Sequence, residues 1–337
     1  MKIGAIDLVE RPLLIAEIGN NHEGNPDVAL SLADAAVAAG ADAVKVQLIN
    51  PPRLVNRSEH QRIAQLSRFG LKREVFLEMA QRVRARGALF VASAFDCDTL
   101  ASWIGDLDAI KIASGDLDFD PMLQIAAKSG KSVMLSTGMS TLPEIERAVG
   151  VFSAALPPGV AAKDRLAVLH CVSLYPTPLA QANLSAITEL RGRLGLMIGY
   201  SDHTLGVTAA TVALGLGARV IEKHLTLDNA YSEFRDHALS AEPAEFAVLA
   251  ETVRSYGNIV GRGLIDGEMA DAATRAVARR GIVAGRDIAA GATITAADLD
   301  YVRPAIGFPP SAAERVIGRR ARHLLVVHHV IREDDLA

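Results

Sequence analysis

Eight short apolar runs recur along the first 226 residues, and each ends in polar residues. They cover 13–19, 43–48, 89–95, 109–114, 132–137, 166–173, 196–202 and 219–226. Each has the length of a strand. Between them, apolar residues recur at helical spacing over 27–39, 73–86, 141–155, 205–216 and 243–259, and Gly40 and Gly87 mark two of the helix stops. The text T-L-P-E predicts a helix start with Thr141 as N-cap, Pro143 in the first turn and Glu144 in the capping-box position. Strand followed by helix, repeated along the chain, predicts parallel strands joined by right-handed crossovers. An open doubly wound sheet is the competing arrangement. A closed (β/α)8 TIM barrel over 1–260 fits better, because the residues able to do chemistry fall at the C-terminal ends of all eight runs.

The pattern changes near residue 260. Residues 261–278 read as a linker with some helix. From 279 to 337 the chain carries short β-branched runs broken by G-R-D-I, G-A-T-I-T, R-P and F-P-P turns. This predicts a small C-terminal β domain, too short for a large core of its own. No repeat beyond the βα alternation is visible.

Strand periodicity selects the side chains that face inward. Glu17 lies in the first run. Lys45 and Gln47 share a face in the second, as do Ser201 and His203 in the seventh and Glu222 and His224 in the eighth. His203 and His224 end neighbouring runs, and strands lie about 4.8 Å apart. Two imidazoles so placed can share a divalent transition ion, or can simply be hydrogen-bonded histidines at a barrel mouth. A lysine inside an apolar strand is costly without a partner. Lys45 and Lys111 therefore indicate either structural ion pairs, with Glu17 or Glu222, or a cationic pocket for a phosphate or carboxylate. A Schiff-base lysine is a further option. Ser114-Gly115 and Ser136-Thr137-Gly138 add hydroxyls and approachable backbone N–H groups, which favours anion binding. Ser93 and Ser173 close the third and sixth runs.

Composition narrows the function classes. The 337 residues are 50% hydrophobic and 22% charged, with a net charge of −4. That balance leaves no clustered basic face for nucleic acid. No run reaches the ~20 apolar residues of a membrane span. The opening MKIGAIDLVE lacks a signal peptide's basic start and apolar stretch, so a cytoplasmic protein is expected. Cys97 and Cys171 have no metal-type spacing and read as buried reduced thiols.

Several segments together resemble the sialic acid synthase family: IAEIGNNHEGN (15–25), GADAVKVQ (40–47), KIASGDL (111–117), LSTGMSTLPEI (135–145), LHCVSLYPTP (169–178), GYSDHTLG (199–206) and IEKHLTLD (221–228). The stretch 284–304 is similar to the antifreeze-like (SAF) domain of that family. The resemblance implies a (β/α)8 barrel with an antifreeze-like domain in a domain-swapped homodimer. It implies condensation of phosphoenolpyruvate with an N-acylated amino sugar. His203 and His224 would bind a divalent metal, usually Mn²⁺. Lys45, Lys111, Ser93, Ser114, Ser136 and Ser201 would hold phosphoenolpyruvate. Glu17, Gln47, Tyr175 and Asp236 would line the sugar side, with Glu222 beside the reacting carbonyl and Arg303 reaching into the partner's barrel. Asp116 stands where many members have Glu, Ser173 where some have Asn, and Ala94 where Pro is usual, and P-A-I-G-F follows Arg303. Asp116 and Ser173 are therefore expected to bear on sugar choice. N-acetylmannosamine is the first acceptor reading and a 2,4-diacetamido-trideoxy hexose, giving a legionaminate-type product, the second. S-G-D after Lys111 argues against the pseudaminate branch. Two rivals of other classes are a Schiff-base pyruvate aldolase and a non-enzymatic carbohydrate-binding protein.

Overall fold

Eight parallel strands close on themselves in sequence order in the computed structural model, which describes residues 1–261 and 271–337. They are β1 (Leu13–Gly19), β2 (Ala43–Leu48), β3 (Leu89–Ala94), β4 (Ala109–Ile112), β5 (Ser132–Ser136), β6 (Leu166–Cys171), β7 (Met197–Asp202) and β8 (Val220–His224), and β8 pairs with β1 to seal the ring. The predicted TIM barrel is the observed one. β1 and β2 match their expected limits; β7 and β8 start one residue late, and β3 to β6 and β8 stop one or two residues short, where the chain turns out of the ladder into loops.

Alternation along the strands makes two cores. Inward-facing Ile15, Ala43, Val91, Met134, Leu169 and Val220 fill the lower barrel, and Ile3 and Leu8 from the N-terminal segment plug its floor. Outward-facing Val44, Phe90, Ile110, Val133, Val168 and Ile221 pack against the helices. Pro26–Ala38 turns Ala29, Leu32, Ala33 and Ala36 inward, as the alanine-rich spacing requires. Leu142–Ala155 opens on the expected Thr141–Glu144 capping box. Because the apolar side chains occupy the lower interior, polar ones collect at the C-terminal mouth.

The chain divides into two compact units, Met1–Gly261 and Arg262–Ala337. Of the expected linker 261–278, residues 262–270 lie outside the described part, and Ala272–Ala278 is helical. In the second unit β9 (Gly281–Ala284) pairs antiparallel with β10 (Leu299–Val302). Ile282, Ile288, Ile294, Val316, Leu325 and Ile331 form its core.

This small unit contains a repeat that the sequence reading overlooked. Ile288 and Leu325 exchange backbone hydrogen bonds of 2.8 and 2.9 Å, as residues on a twofold axis would. Ala284 N–H donates to His329 O, and Ala321 N–H to Ala292 O; Gly291 N–H donates to Ala321 O, and His328 N–H to Ala284 O. Val283 bridges Val330 as Thr293 bridges Arg320. Each residue thus corresponds to the one 37 positions on, with Asp298 answering to Asp335. The halves share few identical side chains, so the repeat is carried by the backbone pattern and escapes reading by composition.

Gly199 on β7 tests the packing account. A Cβ there would stand 2.6 Å from Val220 O and 2.8 Å from Val220 Cβ, whereas one at Gly105 would meet nothing within 4 Å. A backbone oxygen in a closed ladder cannot give way. Gly199→Ala should cost about 1–3 kcal/mol in urea unfolding, and Gly105→Ala should stay within about 0.5 kcal/mol of wild type. Equal midpoints for the two variants would contradict the packing account.

Candidate active site

Glu17, Lys45, Lys111 and Glu222 meet at the barrel mouth, each at most 4% exposed. Register puts Glu17 beside Lys45 on β1 and β2, and the two form an ion pair. Lys111 reaches across the barrel from β4 to β8, with Nζ 3.0 Å from both oxygens of Glu222. Lys45 Nζ lies 3.9 Å from Glu222 Oε1 and 3.5 Å from Ser93 Oγ. Ser201 Oγ donates to Glu222 Oε1 at 2.9 Å, and Gln47 Nε2 to Glu17 Oε1 at 3.1 Å. Both lysines are therefore paired, as the structural reading allowed, and they also line a cavity.

Burial sets the electrostatics. It would lower Lys45, but Glu17 and Glu222 outweigh it and pull the ammonium up. Burial would raise Glu222, but Lys111 and Lys45 hold it down at about 2. Burial wins at Glu17, which is raised despite Lys45.

The cavity above this cluster has a volume of about 280 Å³. Lys45, Lys111 and Glu222 form its base, and Gln47, Ser93, Ser136 and Ser201 its wall. Ser136 Oγ is buried with no hydrogen-bond partner. Ser114 enters from a 3₁₀ turn, Ser114–Asp116, beyond the end of β4, and its Oγ accepts from Gly138 N at 2.9 Å. Ser173, Tyr175 and His203 close the far side.

The structure does not bring every expected residue to the cavity wall. Asp116 is absent from it. In a 3₁₀ turn successive side chains point about 120° apart, so Asp116 turns away from the face that Ser114 presents. Its Oδ2 is buried without a partner, and burial, with Asp118, raises its carboxyl to about 6. Asp236 is buried too, but it is engaged by Arg235 Nε at 3.2 Å. Glu17 and His224 are buried next to wall residues without forming the wall. Arg303 is exposed in the second unit.

His203 and His224 approach with ring centroids 5.4 Å apart. His203 Nδ1 lies 2.8 Å from Val172 O, so donation there leaves Nε2 with its lone pair. Burial, then His203 and Lys45, push His224 well below the usual histidine range, and its Nδ1 is buried without a partner. Burial would lower His203, but Cys171 and the Val172 carbonyl outweigh it and raise the imidazole. One ring fixed from behind and one with an orphaned nitrogen still offer two donors to a divalent metal.

Four residues were missed. Arg235 lines the cavity, with its guanidinium 4.6 Å from the centroid of the Tyr175 ring. Cys171 also lines it, with Sγ 3.5 Å from Ser114 Oγ, so it is more than a core thiol. Its inward position on the sixth run was the available signal. Lys223 and Asp202 face outward, both fully buried and 3.1 Å apart. Asp202 also accepts from Tyr200 OH and Thr204 N–H, and Lys223 donates to Thr204 O at 2.5 Å. This network braces the strand ends that carry His203 and His224. Its signal was a lysine and an aspartate at outward positions on adjacent strands.

The sequence model of the NeuB family matches residues 32–264, and that of the SAF domain matches 279–337. The chain belongs to the NeuB family. It is 34% identical to N,N'-diacetyllegionaminic acid synthase of Legionella pneumophila over 91% of this chain and 89% of that one. Against the synthase of the same name from Campylobacter jejuni it is 31% identical, over 96% and 100%. The crystal structure of an N-acetylneuraminic acid synthetase from Leptospira borgpetersenii in complex with citrate superposes with a TM-score of 0.74 at 32% identity, over 81% of this chain and 94% of that one. As a NeuB protein the chain is an enzyme of the sialic acid synthase type, a transferase. That displaces the reading as a non-enzymatic carbohydrate-binding protein. Among the described residues no helix is long and apolar enough to cross a membrane.

The brace can be tested by breaking it. Lys223→Met leaves the Asp202 charge buried without its cation, and should cost about 3–5 kcal/mol in urea unfolding. Adding Asp202→Asn should recover part of that loss. A single variant as stable as wild type would contradict the brace.

Proposed function

We propose that this NeuB protein condenses phosphoenolpyruvate with an N-acylated amino hexose, giving a nine-carbon sialic-acid-type sugar and inorganic phosphate. The observation that carries the reading is the pair of buried lysines, Lys45 and Lys111, at the base of a hydroxyl-walled cavity. A protein of net charge −4 must hold a polyanion by local cations. Lys45, Lys111, Ser93, Ser114, Ser136 and Ser201 are assigned to phosphoenolpyruvate. Gln47, Ser173, Tyr175 and Arg235 are assigned to the acceptor side, which Asp236 reaches through Arg235.

The cluster of two lysines and two glutamates is formally neutral. A polyanion entering it needs further positive charge, and this supports a divalent ion. His203 and His224 would hold that ion, Mn²⁺ in our reading. When bound, it supplies Lewis acidity to the acceptor carbonyl. The cavity residues hold C3 of phosphoenolpyruvate against the open-chain aldehyde carbon. A C–C bond forms, water adds at the former C2, and phosphate leaves with cleavage of its C–O bond. Glu17 and Glu222 are the carboxylates within reach to move protons. The ion-paired state of both lysines disfavours the Schiff-base aldolase, which needs a free amine.

For the acceptor, the two legionaminic acid synthase relatives favour a 2,4-diacetamido-trideoxy hexose over N-acetylmannosamine. We also assign Arg303 to the partner's site in a domain-swapped homodimer. A cytoplasmic location accords with the two free cysteines.

Assay of phosphate release from phosphoenolpyruvate across a panel of acylated hexosamines, with mass spectrometry of each product, tests the reading. One sugar should release phosphate and gain three carbons. No release with any sugar, or a borohydride-trapped adduct with pyruvate, would overturn it. Chelation should abolish turnover and Mn²⁺ restore it; full activity in a metal-free preparation would remove the metal from the account. Lys45→Ala and Arg303→Ala should each be nearly inactive, and subunit exchange between them should return about a quarter of wild-type activity, because about half the dimers are mixed and each has one intact site. No recovery after demonstrated exchange would refute the swapped arrangement and leave the condensation standing.

A further inference from the structure

The twofold repeat of the small domain makes one half a reference for the other. In the first half, Asp298 accepts from the backbone N–H of Thr295 at 2.7 Å and pairs with Arg286. In the second half, Asp335 accepts from Arg332 N–H, also at 2.7 Å. His323 stands where Arg286 stands, and its Nε2 is 3.1 Å from Asp335 Oδ1. So far the halves do the same work: a nitrogen-bearing side chain steadies an aspartate that closes a 3₁₀ turn. The second half then adds a group. His329 occupies the place of Ala292, and its Nε2 is 3.1 Å from Asp335 Oδ2. The cap has no need of this second imidazole.

We propose that His323, His329 and Asp335 form a binding site for a divalent transition ion of the zinc class, separate from the barrel. One ring nitrogen of each histidine and a carboxylate oxygen lie within 4.8 Å of one another. Ligands held about 2.0–2.1 Å from a tetrahedral ion stand roughly 3.3 Å apart, and each imidazole already stands 3.1 Å from a carboxylate oxygen, His323 from Oδ1 and His329 from Oδ2. Gathering both nitrogens around Oδ1 requires that the His329 ring swing toward His323, and His323 is 54% exposed and His329 35%. Asp335 can bind through one oxygen and keep the Arg332 N–H on the other. Two imidazoles and one carboxylate are a borderline donor set that suits Zn²⁺ and Co²⁺ rather than Mg²⁺ or Ca²⁺. The fourth position is left for water. Bound there, the ion would fasten the final turn, Glu333–Asp335, to the segment carrying His323, a structural task independent of turnover.

The repeat also supplies a variant that should fold. His323→Arg with His329→Ala gives the second half the residues that the first half already uses around its aspartate. Co²⁺ titration of the full-length protein, followed by equilibrium dialysis and by the visible absorption of tetrahedral Co²⁺, is the test. Wild type should bind one more Co²⁺ per chain than the double variant, with phosphate release unchanged between them. His328→Ala, at the exposed neighbouring histidine, should bind as many ions as wild type. Equal stoichiometry in wild type and the double variant would overturn the proposal, and so would loss of the same ion in His328→Ala.

Discussion

Ionised side chains enclosed by a ring of apolar strands are tolerable only when each meets an opposite charge and has its remaining hydrogen bonds filled. At this barrel's mouth Glu17, Lys45, Lys111 and Glu222 supply those opposite charges to one another. Lys111 crosses from β4 to Glu222 on β8, so the cluster ties opposite walls of the ring as well as neighbouring strands. It also fixes where a ligand can be held. The lysines cannot withdraw, because the apolar layer of Ile15, Val91, Met134 and Leu169 lies below them. The cluster therefore stays at the base of the cavity, where whatever enters from above must meet it.

The same logic operates one layer out. Lys223 and Asp202 are buried between strands and helices, where an unpaired charge would not be tolerated. Alternation places them one residue from the inward groups of the same strands, Glu222, His224 and Ser201. A change on the outer face is thus transmitted to the metal-type pair by the strand itself. Fold and site share β7 and β8 so closely that stability and geometry there cannot be separated.

Much of this was legible from the chain. The polar ends of eight apolar runs identified the mouth, and a period of two assigned Lys45, Gln47, Glu222 and His224 to the inside. Less legible was where the chain leaves the ladder. Asp116 is expected from its motif to bear on sugar choice, and it sits in a three-residue 3₁₀ turn outside the cavity wall, a placement that apolar spacing does not encode. Arg235 escaped because it lies on a short helix, Arg235–Leu239, outside the strand pattern. The repeat in the small domain escaped because its halves agree in backbone hydrogen bonding more than in residue type. Family membership added what no period could: the expectation that lysines, hydroxyls and two histidines at one mouth belong to a single reaction.

The central claim is that the two-lysine cavity holds phosphoenolpyruvate for attack through carbon, with phosphate released by C–O cleavage. Phosphoenolpyruvate carrying ¹⁸O in the bridging position reports on this directly. The account predicts that the label leaves with inorganic phosphate while the sugar product contains none of it. Label retained in the product would mean P–O cleavage and would contradict the account.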